Sequence, residues 1–303
     1  MRRLQHILIA CCFAAGLIAC EKEIPFKGEV AKPKLVLNAD FSPDSVWKIN
    51  LSHSLSIGDT GQPRPVTNAV VSIQDESGKN LGDLEHVGSG IYQASSLMPV
   101  SGESYKVTAE AAGYDAITAS SMTPAPVSVQ FGDTSFSTFL GEDILNLDVT
   151  INDDADPENY YVLECEALLY DSIGLSDRFG LWLYNLDTGS DNGELGDENS
   201  SYQRIYFKDD AFNGQSHTTT LMIPAYLLIY LFDSESGFNR VDFQVRVRSV
   251  SKELYQYLLS FDKYQNYSFD PTFSQPVQVF SNVEKGFGIF GGYTAAGMTF
   301  IFE

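Results

Sequence analysis

Residues 240–250 constrain the fold more than any other stretch, because Val241, Phe243, Val245 and Val247 alternate strictly with Asp242, Gln244, Arg246 and Arg248. A period of two sends successive side chains to opposite faces, so this stretch is a strand with one buried apolar face and one wet polar face. Shorter β-rich runs bounded by turn residues fill much of the chain: 34–41, 46–54, 69–74, 90–94, 105–111 and 116–122 before Pro124-Ala125-Pro126, then 144–152, 160–170, 179–186, 202–207, 218–223, 276–281 and 297–302. That spacing is characteristic of sandwiches. Asp75-Glu76-Ser77-Gly78 and Val87-Gly88-Ser89-Gly90 supply the glycines that tight hairpins require. The two prolines suit a connection, since proline cannot donate to a central ladder. The expected fold is mainly all-β: an immunoglobulin-like or transthyretin-like β-sandwich over 35–126, then a second β-rich domain over 127–303.

One segment breaks the period of two. From Ser251 to Gln265, Leu254, Leu258 and Phe261 fall at helical spacing behind a serine suited to capping, which predicts one amphipathic helix over 251–265. The apolar stretch 221–232 is interrupted by Pro224 and is too short to span a bilayer, so it is assigned to the core. No internal repeat or heptad is present.

The N-terminus has the layout of an export signal. Arg2 and Arg3 precede a short apolar run, and Leu17-Ile18-Ala19-Cys20 closes it with a small residue before a cysteine. The charged Glu21, Lys22 and Glu23 follow at once, so the run is shorter than the ~20 residues of a spanning helix. The motif resembles a bacterial lipoprotein box, which implies that 1–19 is a signal peptide cleaved before Cys20 and that Cys20 carries a covalent lipid. Residues 20–34, with Pro25 and Pro33, read as an extended tether. Cys11 and Cys12 leave with the signal, so Cys165 is the one unmodified cysteine of the mature body and no intramolecular disulfide is expected. Lying in a strand-like run with no histidine nearby in sequence, it reads as a small buried hydrophobe.

The chain carries 40 Asp+Glu against 19 Lys+Arg. Losing Arg2 and Arg3 leaves 17 minus 40, a mature net charge of -23. A nucleic-acid partner is excluded, because phosphate binding needs clustered Lys and Arg. A content of 44% hydrophobic and 13% aromatic residues is that of a folded body, so the acid is spread over its surface.

Catalytic motifs are absent from the sequence. His53, His86 and His217 stand in separate contexts without zinc-ligand or triad spacing, and there is no Gly-x-Ser-x-Gly elbow. Gly286 to Gly292 is followed by strand-like sequence, so its glycines are assigned to close backbone packing. Two acidic clusters offer oxygen ligands of the kind calcium takes, with Asp153, Asp154 and Asp156 in one and Asp191, Glu194 and Asp197 in the other. Neither fits the EF-hand register, and solvated loops are the preferred reading. Tyr202, Tyr206 and Phe207, Trp182 and Tyr184, and Phe287, Phe290 and Tyr293 could form stacking platforms for a sugar or peptide. At alternate positions in a β protein such aromatics are assigned to the core. No cofactor, no catalytic residue and no enzyme activity is expected.

Several segments resemble an uncharacterised family of outer-membrane lipoproteins of the Bacteroidota, many encoded beside TonB-dependent transporters. They are Ser251-Lys-Glu-Leu-Tyr-Gln-Tyr-Leu258, Pro276-Val-Gln-Val-Phe-Ser-Asn282, Gly286-Phe-Gly-Ile-Phe-Gly-Gly292, Phe207-Lys-Asp-Asp-Ala-Phe-Asn-Gly214 and Gly90-Ile-Tyr92. Glu21-Lys22-Glu23 is similar to the signal that sends lipoproteins of that phylum to the exterior face of the outer membrane; an inward-facing anchor is the alternative. The resemblance implies a lipid-anchored accessory that captures substrate for, or docks on, a TonB-dependent outer-membrane barrel. A surface adhesin or scaffold is the second reading, and a hydrolase with a cryptic carboxylate pair the third.

Overall fold

The last strand, β15 (Phe287–Phe302), belongs to two parts of the fold at once. Its first six residues pair in parallel with β1 (Leu35–Phe41), from Val36↔Phe287 to Phe41↔Gly292. The remaining ten pair antiparallel with β14 (Phe238–Val250), from Val250↔Tyr293 to Val241↔Phe302. The computed structural model describes residues 32–56, 61–155, 158–187, 190–194, 202–228, 237–267 and 277–303. Residues 33–54 and 63–303 form one compact unit. The signal segment, Cys20, Glu21, Lys22, Glu23 and the tether up to residue 31 lie outside the described residues.

Beyond β1, antiparallel pairing continues through β2 (Lys48–His53), β5 (Ile91–Gln93), β4 (Asn80–Gly88), β3 (Val70–Asp75), β6 (Ser104–Glu110) and β7 (Ile117–Met122). Alternate residues such as Leu37, Ile49, Leu51, Val71, Ile73 and Val107 turn inward and enclose Trp47. Phe290 of β15 sits in that same core, stacked on Trp47 at 5.7 Å with the rings 12° apart.

The C-terminal half is a second sandwich. β10 (Tyr160–Asp171) pairs with β14 along one edge, and its other edge is shared by β12 (Arg204–Lys208) and β11 (Leu175–Gly180). The facing sheet is β13 (Ser216–Pro224), β9 (Glu142–Asn152) and β8 (Ser128–Phe139). Val241, Phe243, Val245 and Val247 are fully buried in the core with Leu145, Leu147, Val149 and Ile151 of β9. Burial of four such side chains contributes about 1.5–3 kcal/mol each before entropy is counted.

The helix α1 (Lys252–Tyr267) follows β14 directly. The Leu254 N–H donates to Ser251 Oγ at 3.2 Å, so the serine caps it. The Gly286 to Gly292 glycines do serve backbone packing. A side chain on Gly286 would meet the Leu35 carbonyl oxygen at 2.7 Å, and one on Gly291 would meet Leu254 of α1 at 2.6 Å. Gly288, at φ +108°, leaves room for the Leu37 carbonyl.

Three expectations are corrected. Residues 277–283 form no strand, and the chain there is held by side-chain bonds instead: the Phe280 N–H donates to Ser260 Oγ, and Asn282 bonds both the N–H and the carbonyl of Phe290. The run 179–186 is displaced: β11 occupies 175–180, and Leu183 and Tyr184 make only isolated bridges to Tyr202 and Met222. The polar face of β14 is not uniformly wet, since Asp242 and Arg248 are buried. Asp242 is covered by Arg240, which binds it with two hydrogen bonds of 2.7 Å.

Candidate functional site

Glu164 lies at the centre of the polar face of the β12–β10–β14 sheet, with Arg204 opposite it on β12 and Arg246 opposite it on β14. Two residues along β14 stands Arg248. The carboxylate of Glu164 is ringed by all three guanidinium groups, at 3.9 Å from Arg204 Nε, 3.6 Å from Arg246 Nη1 and 3.9 Å from Arg248 Nη1. Each of these separations exceeds hydrogen-bond reach. Among the described residues the Glu164 carboxylate accepts no hydrogen bond, although its side chain is only 18% exposed.

The other two arginines have partners elsewhere. Arg246 Nη2 donates to Glu166 at 2.5 Å. Arg204 Nη1 donates to Asp262 of α1 at 2.7 Å, and Tyr206 gives its hydroxyl proton to the other oxygen of Asp262 at 2.6 Å. Burial pushes the Tyr206 phenol well above its ordinary range, and the neighbouring Asp262 charge adds to that. α1 thus fixes the rim of the cluster through Asp262.

Arg248 is different. The residue is only 8% exposed, and its guanidinium lies 3.9 Å above the Tyr293 ring. Its nearest acidic neighbours are Glu164 and, at 3.6 Å from Nη2, the largely exposed Asp40 of β1. Its Nε is buried without a hydrogen-bond partner, as is that of Arg204. Among the described residues the Arg248 side chain makes no hydrogen bond. The stacked cation is worth about 2 kcal/mol when desolvated, against about 1–3 kcal/mol for each buried donor left unsatisfied. The two are of similar size, and what stays unfilled is the hydrogen-bonding capacity of the Arg248 guanidinium and the Glu164 carboxylate beside it. Tyr257, with Arg204 and Asp40 as its charged neighbours, has its phenol pushed up by burial.

The acidic clusters read from the sequence lie apart from this recess. Asp153 is a buried structural anchor: Tyr161 and Asn159 donate to one oxygen and the Gly214 N–H to the other at 2.8 Å. Asp154 is exposed. Asp191 binds the Tyr255 hydroxyl at 2.6 Å and Lys208 at 2.9 Å. Asp156, Asp197 and the side chain of Glu194 lie outside the described residues. Among the described residues no three acidic, histidine or cysteine side chains group as metal ligands. Cys165 is buried, and desolvation pushes its thiol far above its ordinary pKa, as befits an inert packing residue. His53 faces the Tyr114 hydroxyl at 3.2 Å, and His217 faces Asp187 at 2.7 Å while stacking on Phe212.

Of the aromatic platforms, Tyr202, Tyr206, Phe207 and Phe290 are core, whereas Trp182 and Phe287 are about half exposed. Tyr293 is the one that joins the recess. The arginine cluster itself was not anticipated. Its signal was there in opposite charges at alternate positions of two strands, Glu164 and Glu166 against Arg246 and Arg248.

Comparison with known proteins adds a family. The family defined by DUF4249, a domain of unknown function, matches residues 21–298. No curated protein matches the chain. Among solved structures, a DUF3823 family protein from Bacteroides ovatus is similar at 13% identity over 72% of this chain and 91% of that one, with a TM-score of 0.17.

Proposed function

The chain belongs to the DUF4249 family, and from that membership we propose a lipid-anchored, non-enzymatic accessory of a TonB-dependent outer-membrane transporter that captures substrate close to the barrel. The observation that carries this reading is the junction at residue 20. The family match starts at residue 21, immediately behind Leu17-Ile18-Ala19-Cys20, so the matched unit is the body that acylation at Cys20 would tie to a membrane. Confinement by a lipid and a tether raises the effective concentration of a binding body at its partner, so a weak contact suffices for occupancy. The partially covered recess around Glu164 and Arg248 supplies a place for a small ligand, and the sandwich strands supply the rigid platform that such a site needs. Bacteroidota origin and outward display at Glu21-Lys22-Glu23 belong to the same proposal.

Affinity capture of the full lipoprotein from gently solubilised outer membrane, with mass spectrometry of what co-purifies, tests the reading. Stoichiometric recovery of a TonB-dependent barrel is expected. Recovery of the lipoprotein alone, or with other surface proteins only, overturns it in favour of an adhesin or scaffold. Cys20→Ser is expected to move the protein out of the membrane fraction.

A further inference from the structure

We propose that the Glu164–Arg248–Asp40 recess binds a vicinal diol of a neutral saccharide, which names the substrate class of the capture role proposed above and rests on it. The argument starts from what the recess lacks. Arg248 is more than nine-tenths buried, its side chain has no hydrogen bond among the described residues, and it faces two carboxylates just beyond hydrogen-bond distance, Glu164 from Nη1 at 3.9 Å and Asp40 from Nη2 at 3.6 Å. Each gap is therefore a donor beside an acceptor, both unfilled. One atom that accepts and donates together fills such a gap, and a hydroxyl is that group, receiving N–H from the guanidinium while giving its proton to the carboxylate.

Two features narrow the ligand further. The gaps open from the two terminal nitrogens of one rigid guanidinium fork, whose spacing suits two hydroxyls on adjacent carbons. A trans peptide unit does not fit, because its carbonyl and N–H point in opposite directions and cannot address a donor and an acceptor on the same side. An oxyanion is also disfavoured, since it would be pressed against Glu164 and Asp40, which already stand on either side of the Arg248 guanidinium. Asp40 is about two-thirds exposed at the side chain, which leaves the mouth open to solvent.

The test is calorimetric titration of the mature lipoprotein, held in a detergent without sugar headgroups, with neutral malto-, cello-, manno- and xylo-oligosaccharides. Binding of one of these series is expected. Asp40→Asn and Glu164→Gln are each expected to weaken it roughly tenfold to a hundredfold, the range for loss of a charge-assisted hydrogen bond. Asp40 is exposed and makes no hydrogen bond to the core, so its variant keeps the fold, as unchanged thermal melting would establish. The same glycan after periodate cleavage of its diols is expected to lose binding. No binding across the four series, binding unmoved by both variants, binding that survives periodate, or binding of citrate or phosphate alone would each overturn the proposal. The outcome is independent of the affinity capture: a recovered barrel without saccharide binding removes only the diol assignment, and saccharide binding without a barrel removes only the transporter.

Discussion

Gly292 of β15 lies against the main chain of Met122, so that any side chain at position 292 would overlap the Met122 carbonyl oxygen and crowd the Phe41 ring. The contact sits where β15 leaves β1 and begins to pair with β14. Backbone cannot retreat as a flexible side chain can, and the sequence places three more glycines in the same stretch. Gly292→Ala is expected to destabilise the protein by about 3 kcal/mol or more, or to prevent folding. Gly180→Ala, where nothing lies within 4 Å, is the matched control and is expected to change stability by less than about 0.5 kcal/mol. Urea midpoints of the two variants check both statements.

Tyr161 holds the buried Asp153 carboxylate together with Asn159 and Gly214. Tyr161→Phe keeps the ring and removes one donor, leaving a charged acceptor short of a partner. The expected loss is about 1–3 kcal/mol. Denaturant unfolding at neutral pH measures it.

Asp209 is 1% exposed, and desolvation raises its carboxyl pKa above the ordinary 3.8, the nearby Asp153 and Asp210 adding to the effect while the Asn159 N–H opposes it. A group whose folded pKa is raised contributes stability that is full below the unfolded pKa and is lost as pH climbs through the folded value. The window therefore opens near pH 3.8 and extends upward. Asp209→Asn has no such titration, so the stability of the wild-type chain should fall relative to that of the variant between pH 4 and pH 7. Parallel slopes in the two proteins would refute this assignment.

Ser251 follows β14, caps α1 through Leu254 and shares a hydroxyl–hydroxyl bond of 2.9 Å with Ser121, which gives its own proton to the Glu253 carboxylate at 2.8 Å. Ser251→Ala is expected to cost about 1 kcal/mol through the lost cap, and more if the Ser121 bond is net stabilising. Ser121→Ala separates the two, because it leaves the cap intact. Thermal melting of both variants gives the answer.

Much of the fold was legible because the buried strands carry their own pattern. β14 alternates, β10 is rich in apolar and aromatic residues broken only by Glu164 and Glu166 before its last residue, and the helix announces itself by Leu254 and Leu258 behind a capping serine. What escaped were β4 and β8, and for one reason. Asn80–Gly88 and Ser128–Phe139 are polar, glycine-bearing or serine-rich, and largely exposed, so their extended form is imposed by the neighbours they pair with, not by their own side chains. The segment predicted as a strand at 276–281 fails in the opposite sense: Val277 and Val279 look like strand, yet over the described residues 277–281 no strand is formed, and the Phe280 N–H is taken by Ser260 Oγ while the adjacent Asn282 is tied to Phe290. The recess was hidden because its members come from β1, β10, β12, β14, β15 and α1, and only the ladder register brings Glu164 beside both Arg204 and Arg246.

The double membership of β15 also fixes an order of events. A polypeptide is delivered from its N-terminus, yet β1 must wait for a parallel partner that begins at Phe287, and the aromatic core around Trp47 stays open until Phe290 arrives. Contacts so distant along the chain are closed late and slowly. The first half of this protein therefore completes its folding only when the last strand has been delivered, and a product truncated before residue 287 leaves β1 as a bare edge, open to mispairing and to proteases. A defect at the C-terminus of this chain is therefore felt at its N-terminus, because the first strand and the core around Trp47 lack their partners without the last strand.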